Sequence, residues 1–265
     1  MQPLPRCLLS ILLMCSLLTA HGQDLRTGVP LSDGTILAAG ECIAWLDAEG
    51  NVLRKRISDR PFTALATDGE HVFALDCEGR ELLELNADGE VVTRNKLPVQ
   101  GRLRDLSLDG NTLWAVTDAG EIVHGNPASE WTVLDFNDRY EGYYPRMDLR
   151  AVAAGGGSVM VAGMQTDGKP AAYTSSRGTV WSERTLDYTE MGVPCPFTAD
   201  VAGLYYDAAQ DRFYLLGGGG SQLALPGCSH CNSLTRYPVE TLYARIPAGD
   251  GSLLLGSDGF VIKIN

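Results

Sequence analysis

Histidine is scarce. The 265 residues hold four, and one of them, His21, falls in a leader set aside below. His71 stands beside a hairpin turn and His124 beside a strand end, which read as surface positions; His230 is the third. No His-Glu-x-x-His helix, nucleophile elbow or Walker loop is present. Gly217 to Gly220 is a glycine run, but no helical pattern follows it, so it is not a phosphate cradle. No cofactor is expected. Positive charge is also short: 21 Lys and Arg against 33 Asp and Glu, a net charge of −12. Such a surface repels phosphate backbones, which excludes nucleic acid as a partner class. Helical periodicity is missing throughout. Only one long apolar run exists, Leu8 to Ala20. It is shorter than the roughly 20 residues a membrane-spanning helix needs.

That run has Arg6 before it and Ala20-His21-Gly22 after it, a small-x-small site preceding Gln23. The pattern predicts a secretory signal peptide over 1–22, cleaved near Gly22, and a secreted or periplasmic chain over 23–265 without a transmembrane segment. Met14 before Cys15 argues against a lipoprotein anchor. Loss of 1–22 removes one charge, Arg6, leaving 20 basic against 33 acidic residues, or −13. The remaining length, about 240 residues, suits one all-β domain.

What the sequence has in abundance is a repeated phrase. "DGTILAAG" at Asp33 returns as "DGEHVFAL" at Asp68, "DGNTLWAV" at Asp109, "GGSVMVAG" at Gly156, "DRFYLLGG" at Asp211 and "DGSLLLGS" at Asp250. Each couples an apolar, strand-forming run to a tight turn rich in Gly and Asp, the chemistry of a hairpin. Units about 35 to 55 residues apart, with several strands in each, point to an all-β, single β-propeller. Six hairpins give six blades, with five as the alternative count because the unit around Cys228 is hard to divide. The last unit ends after its third strand, so Gln23 to Arg26 is expected to supply the missing outer strand and close the ring. A β-sandwich also repeats hairpins but has no reason to keep one phrase in every unit.

Thr174-Ser175-Ser176-Arg177-Gly178-Thr179-Val180-Trp181 resembles the Asp-box (BNR) turn of sialidase-like and photosystem-assembly-factor-like propellers, with Ser176 where the family has Asp. Phe213-Tyr214-Leu215-Leu216-Gly217-Gly218 resembles the strand and Gly-Gly of a kelch repeat. Arg245-Ile246-Pro247 is similar to the Arg-Ile-Pro motif of sialidases, whose Arg binds the substrate carboxylate, although here it lies near the end of the chain. These likenesses imply a propeller, and the last implies an acidic-sugar hydrolase.

Three sets of residues are candidates for function. Aligned on the turn glycine, Arg104 lies six residues before Gly110, Arg150 six before Gly156 and Arg245 six before Gly251. All three then stand at one height near the start of an inner strand, at the channel mouth. Guanidinium groups there suit a carboxylate; the structural alternative pairs each with a neighbouring acid such as Asp105 or Asp148. The loop Asp138 to Arg146 brings Tyr140, Tyr143, Tyr144 and Arg146 to the same face, as a recognition surface or as a packed cover. Five cysteines remain outside the leader. Cys42 and Cys77 sit at matching places in adjacent units, and Cys195 is a disulfide partner for Cys228 or Cys231. Cys195, Cys228, His230 and Cys231 also form a zinc-type donor set, which an exported, oxidising setting disfavours. Acids from different blades, Asp105, Asp148 and Asp200, are candidates for paired-carboxylate chemistry. The leading expectation is a non-enzymatic propeller that binds a protein or an acidic glycan at its channel face. The alternative is a glycoside hydrolase or lyase acting on acidic sugars.

Overall fold

The computed structural model describes residues 24–127, 130–226 and 232–264. Six antiparallel sheets stand around a common axis. Blade one is β1 (Leu25–Pro30), β2 (Ile36–Gly40), β3 (Cys42–Leu46) and β4 (Val52–Ile57). Blade two is β5 (Phe62–Thr67), β6 (Val72–Asp76), β7 (Leu82–Leu85) and β8 (Val91–Asn95). Blade three is β9 (Leu103–Asp109), β10 (Thr112–Thr117), β11 (Glu121–Gly125) and β12 (Trp131–Asp135). A one-turn helix, α1 (Phe136–Arg139), leads into blade four: β13 (Met147–Gly155), β14 (Ser158–Gln165), β15 (Pro170–Ser175) and β16 (Ser182–Arg184). A separate hairpin, β17 (Tyr188–Glu190) and β18 (Val193–Cys195), precedes blade five: β19 (Val201–Asp207), β20 (Arg212–Gly217), β21 (Ser221–Leu225) and β22 (Ser233–Arg236). Blade six has three strands, β23 (Leu242–Ala248), β24 (Gly251–Gly256) and β25 (Val261–Ile264). No helix among the described residues is long and apolar enough to cross a membrane.

The repeated phrase marks the hairpin between the first two strands of each blade. The turn has two residues in three blades, Gly110-Asn111, Gly156-Gly157 and Gly249-Asp250, and is longer in the others. Gly110, Gly156 and Gly249 open those turns with φ of 56–59°, where glycine is least strained.

Both faces of each sheet are apolar, and the core lies between blades. Trp114, Val116 and Ile122 of blade three pack on Phe136, Leu149, Tyr173 and Trp181. Equivalent apolar seams join blades one and two, two and three, and four and five. The seam between blades five and six is different: its buried apolar cluster is only Leu216, Leu242 and Leu254.

The N-terminal strand does close the ring, but from the inside. β1 pairs with β2 as the innermost strand of blade one, and it does not form an outer strand for blade six. The reason is burial on both sides: Leu25, Thr27 and Val29 are all buried, and Leu25 packs with Ile246, Leu253 and Leu255 of the last blade. Asp24 fixes this junction, its Oδ1 accepting from the Asp258 backbone N–H at 2.7 Å. Gln23 lies outside the described residues.

Inner strands have one edge without a strand neighbour, and in blades two and four side chains of the preceding blade supply acceptors there. Leu65 N–H donates to Thr27 Oγ1, Val152 N–H to Asp105 Oδ2 and Ala154 N–H to Ser107 Oγ, each at 2.9 Å. A buried donor left unsatisfied costs about 1–3 kcal/mol. Thr27→Val, which keeps shape and removes the acceptor, is therefore expected to lower unfolding stability by about 1–2 kcal/mol in urea denaturation. Thr27→Ser should restore most of it, and equal stability of Thr27→Val and wild type would remove this role.

Candidate functional site

All six inner strands carry a register irregularity in their first turn of residues. The pairing skips one residue in each: Arg26, Thr63, Arg104, Arg150, Ala202 and Tyr243. A bulge leaves its extra residue outside the ladder and re-aims its side chain. Here all six residues line one cavity of about 330 Å³ at the channel mouth, together with Cys77, Arg102 and Asp148. The cavity continues as a channel of about 290 Å³ between the inner strands.

The mouth is uneven around its rim. Blades one, three and four contribute arginines, blades two and five the small Thr63 and Ala202, and blade six Tyr243. Each rim arginine already has an acid: Arg104 with Asp118 at 3.2 Å, Arg150 with Asp148 at 2.9 Å, and Arg26 with Asp24 at 3.9 Å. Their side chains remain 36–43% exposed, so their remaining donors are open to solvent. Arg26 also lies over the Tyr243 ring, 5.7 Å from its centroid. Arg102, which also lines the cavity, donates to the Cys77 and Glu78 carbonyls. Asp148 Oδ1 is buried with no hydrogen-bond partner.

Arg245 does not share this height. In the last blade the turn glycine is Gly249, because Ala248 pairs with Gly251; counting from Gly251 reads two residues too deep. Tyr243 occupies the rim position, and Arg245 lies one layer down, lining the channel where it meets the seam between blades five and six. Its side chain is 7% exposed and bonds Asp207 Oδ2 at 3.1 Å, with its Nε on Ser252. Tyr214 lies 4.0 Å and Tyr205 5.6 Å from the guanidinium carbon. Burial pushes the Tyr205 hydroxyl up to about 12. Arg245 is thus committed to holding two blades together. Arg26, which sequence spacing missed, takes its place; a five-residue connection, Leu31 to Thr35, puts Arg26 eight residues before Gly34.

Asp105 lies next to the rim, inside the channel. Its two oxygens accept from Leu106 N–H on its own strand and Val152 N–H of blade four, both at 2.9 Å. It is the one acid lining the channel below the rim among the described residues, and no described cation pairs with it. Burial raises its pKa to about 7, and the two backbone donors only partly offset that. Asp200 is exposed and outside the cavity. Tyr243 and Asp24 are 3.5 Å apart, while the mouth holds no close Asp–Glu pair among the described residues.

The tyrosine loop divides. Tyr140 and Tyr144 pack on Phe136, and Tyr144 also on Tyr173, while the Tyr140 hydroxyl accepts from Trp181 N–H at 2.8 Å. They are a cover over the seam of blades three and four. Tyr143 is 84% exposed, and Arg146 is exposed beside it. In the Asp-box-like turn, between β15 and β16, the side chain that caps the backbone is Ser175, not Ser176: Ser175 Oγ accepts from Gly178 N–H at 2.9 Å. Trp114 presses so closely on Gly178 that no Cβ fits there.

Cys42, Cys77 and Cys195 are free thiols, so the Cys42–Cys77 bridge is not formed: Cys42 is buried at the start of β3, whereas Cys77 is exposed at the mouth. Cys228, His230 and Cys231 lie outside the described residues, and with them the second bridge and the zinc-type set. No cluster of metal ligands occurs among the described residues. His71 pairs with Asp68 at 3.1 Å on the hairpin-turn end, which raises its pKa, and His124 stacks on Trp114.

No protein-family model and no curated protein matches the chain. Solved structures do. Streptogramin B lyase superposes with a TM-score of 0.65 at 11% identity, over 94% of this chain and 95% of that one. A chain of the nidogen/laminin complex gives 0.60 at 16%, over 88% and 83%, and YCF48 from Cyanidioschyzon merolae 0.60 at 12%, over 93% and 96%. At such identities the likeness establishes the fold, a β-propeller.

Two outcomes follow from the buried groups. Arg245→Met leaves Asp207 buried without its cation and should cost about 3–5 kcal/mol in urea unfolding. Adding Asp207→Asn should recover a large part; no recovery would mean that packing of the arginine stem, and not the charge, sets the loss. Asp105 has a folded-state pKa above its unfolded value, so its contribution is fully present below about pH 4 and is lost as pH rises through about 7. The stability difference between wild type and Asp105→Asn should accordingly shift against the wild type over that window and stay flat above it. A difference independent of pH would contradict the burial argument.

Proposed function

We propose that this chain is an exported, non-enzymatic propeller that docks a partner protein on its mouth face and receives a partner carboxylate between the rim arginines. The observation that carries the reading is the concentration of cationic bulge residues, Arg26, Arg104 and Arg150, around one cavity in a chain of net charge −12. Guanidinium donors with one ion-pair partner each still have free N–H groups for a second carboxylate. Tyr143 adds an exposed aromatic ring on a loop that feeds straight into the mouth end of β13, the kind of side chain protein interfaces use as an anchor. The nidogen/laminin neighbour, a complex between proteins, is consistent with a propeller used this way. Export rests on the apolar leader with its small-x-small site.

A lyase or acidic-sugar hydrolase is the second reading, favoured by the streptogramin B lyase neighbour and by the acid in the channel. For virginiamycin B lyase from Staphylococcus aureus a histidine-to-alanine variant is catalytically inactive, whereas the described mouth of this chain has no histidine. The sialidase and kelch likenesses add only short segments, and Arg245, the residue a sialidase would use, is buried in its ion pair.

Protein secreted by the expressing cell and starting at Gln23 is the material for the test. Wild type should retain acidic peptides and lose them by roughly tenfold or more when Arg26, Arg104 and Arg150 are all changed to Gln, with melting little altered. Retention of acidic glycans alone would move the partner to a glycan. Turnover of fluorogenic acidic glycosides would replace binding with catalysis.

A further inference from the structure

We infer that the channel mouth binds a carboxylate together with a proton, and that the proton is held on Asp105. The inference rests on the mouth being an anion site and adds a regulator to it. Its basis is position. Asp105 follows Arg104 directly, lines the same channel as Arg104 and Arg150, and sits one layer beneath the rim. Both its oxygens are spent on strand N–H groups of two different blades, so the carboxyl is held in place and cannot swing away from an arriving ligand.

Of the other charged groups at the mouth, the Arg102 guanidinium bonds only the Cys77 and Glu78 carbonyls, Cys77 is a free thiol, and the rest come as pairs. Arg104 stands with Asp118, Arg150 with Asp148, Arg26 with Asp24, and Arg245 with Asp207. β5 contributes no charged residue, and β19 lines the channel with Tyr205 and Tyr206. Asp105 is therefore the acid whose charge no neighbour cancels. An anion at the rim places a second negative charge near it in a partly dry channel, where like charges repel more strongly than in water. Protonation of Asp105 removes that repulsion. By linkage, ligand binding must then raise the affinity of Asp105 for its proton by the same factor. Desolvation in the channel pushes the carboxyl up to about 7, which puts the response near neutral pH. Affinity for an ionised carboxylate should be highest near pH 6, fall as pH rises through 7 to 8, and level off once Asp105 is ionised in the bound state as well.

The probe is the tripeptide acetyl-Gly-Glu-Gly-amide, whose side chain stays ionised above roughly pH 5.5. Binding is followed by NMR titration at pH 6 and pH 8.5. Wild type should bind about five- to tenfold more tightly at pH 6, the size expected of one charge removed several Å away. Asp105→Asn should bind with little pH dependence. Calorimetry on the unaltered protein near pH 7.5, in buffers of different ionisation enthalpy, should show net proton uptake and needs no variant to fold. Equal affinity at both pH values, no proton uptake, or a slope retained in Asp105→Asn would overturn proton coupling while leaving the mouth site standing. Absence of binding by wild type at either pH would remove the site itself, and the inference with it.

Discussion

Six inner strands turn a free hydrogen-bonding edge toward their neighbours around the axis, and that edge governs how this ring is built. Strand pairing cannot satisfy it, because the next inner strand belongs to another sheet. Short polar side chains do so instead: Thr27 for blade two, and Asp105 and Ser107 for blade four. The same strands begin with a bulge, which ends regular pairing at the mouth and lets six side chains converge there. Channel, rim and cross-blade bonds are thus consequences of one geometric problem, the placing of small twisted sheets side by side without wasting backbone donors.

The seams show the same economy of place. Five are filled by sizeable clusters of apolar side chains. The sixth, between blades five and six, has an arginine and an aspartate where its counterparts have leucines, valines and alanines, with tyrosines stacked around the guanidinium. One residue type therefore has two fates set by depth. At the rim a bulge leaves the guanidinium half in water; a layer lower the blades enclose it, and only a buried partner makes that tolerable.

Much of the ring was legible in the repeated turn phrase, since a hairpin's backbone needs constrain its residues directly. Arg104 and Arg150 were placed at the right height because their hairpins close with a two-residue turn that begins with glycine. Arg26 and Arg245 were not, because the first connection is longer and the last turn begins one glycine earlier than the Asp-Gly pair suggests. Tyr140 and Tyr144 looked like Tyr143 in the sequence; which of the three is covered depends on Phe136 and Tyr173, the latter arriving from a later strand. Asp105 gave no sign of its unusual environment, since the N–H group that holds it comes from a blade about fifty residues further along the chain. Cys42 and Cys77 occupy matching places in sequence but different depths in space, so their likeness did not imply contact.

Local electrostatics and global charge pull in opposite directions here. The chain as a whole is acidic, whereas the mouth gathers arginines whose ion pairs leave donors unused and an acid whose ionisation is suppressed. That contrast is the account's central claim, and a crystal structure with acetyl-Gly-Glu-Gly-amide tests it most directly. The account predicts density for the glutamate carboxylate within hydrogen-bond reach of a rim guanidinium, Arg26, Arg104 or Arg150. A carboxylate bound on the hairpin-turn end or the outer strands, with the rim cavity holding only solvent, would contradict it.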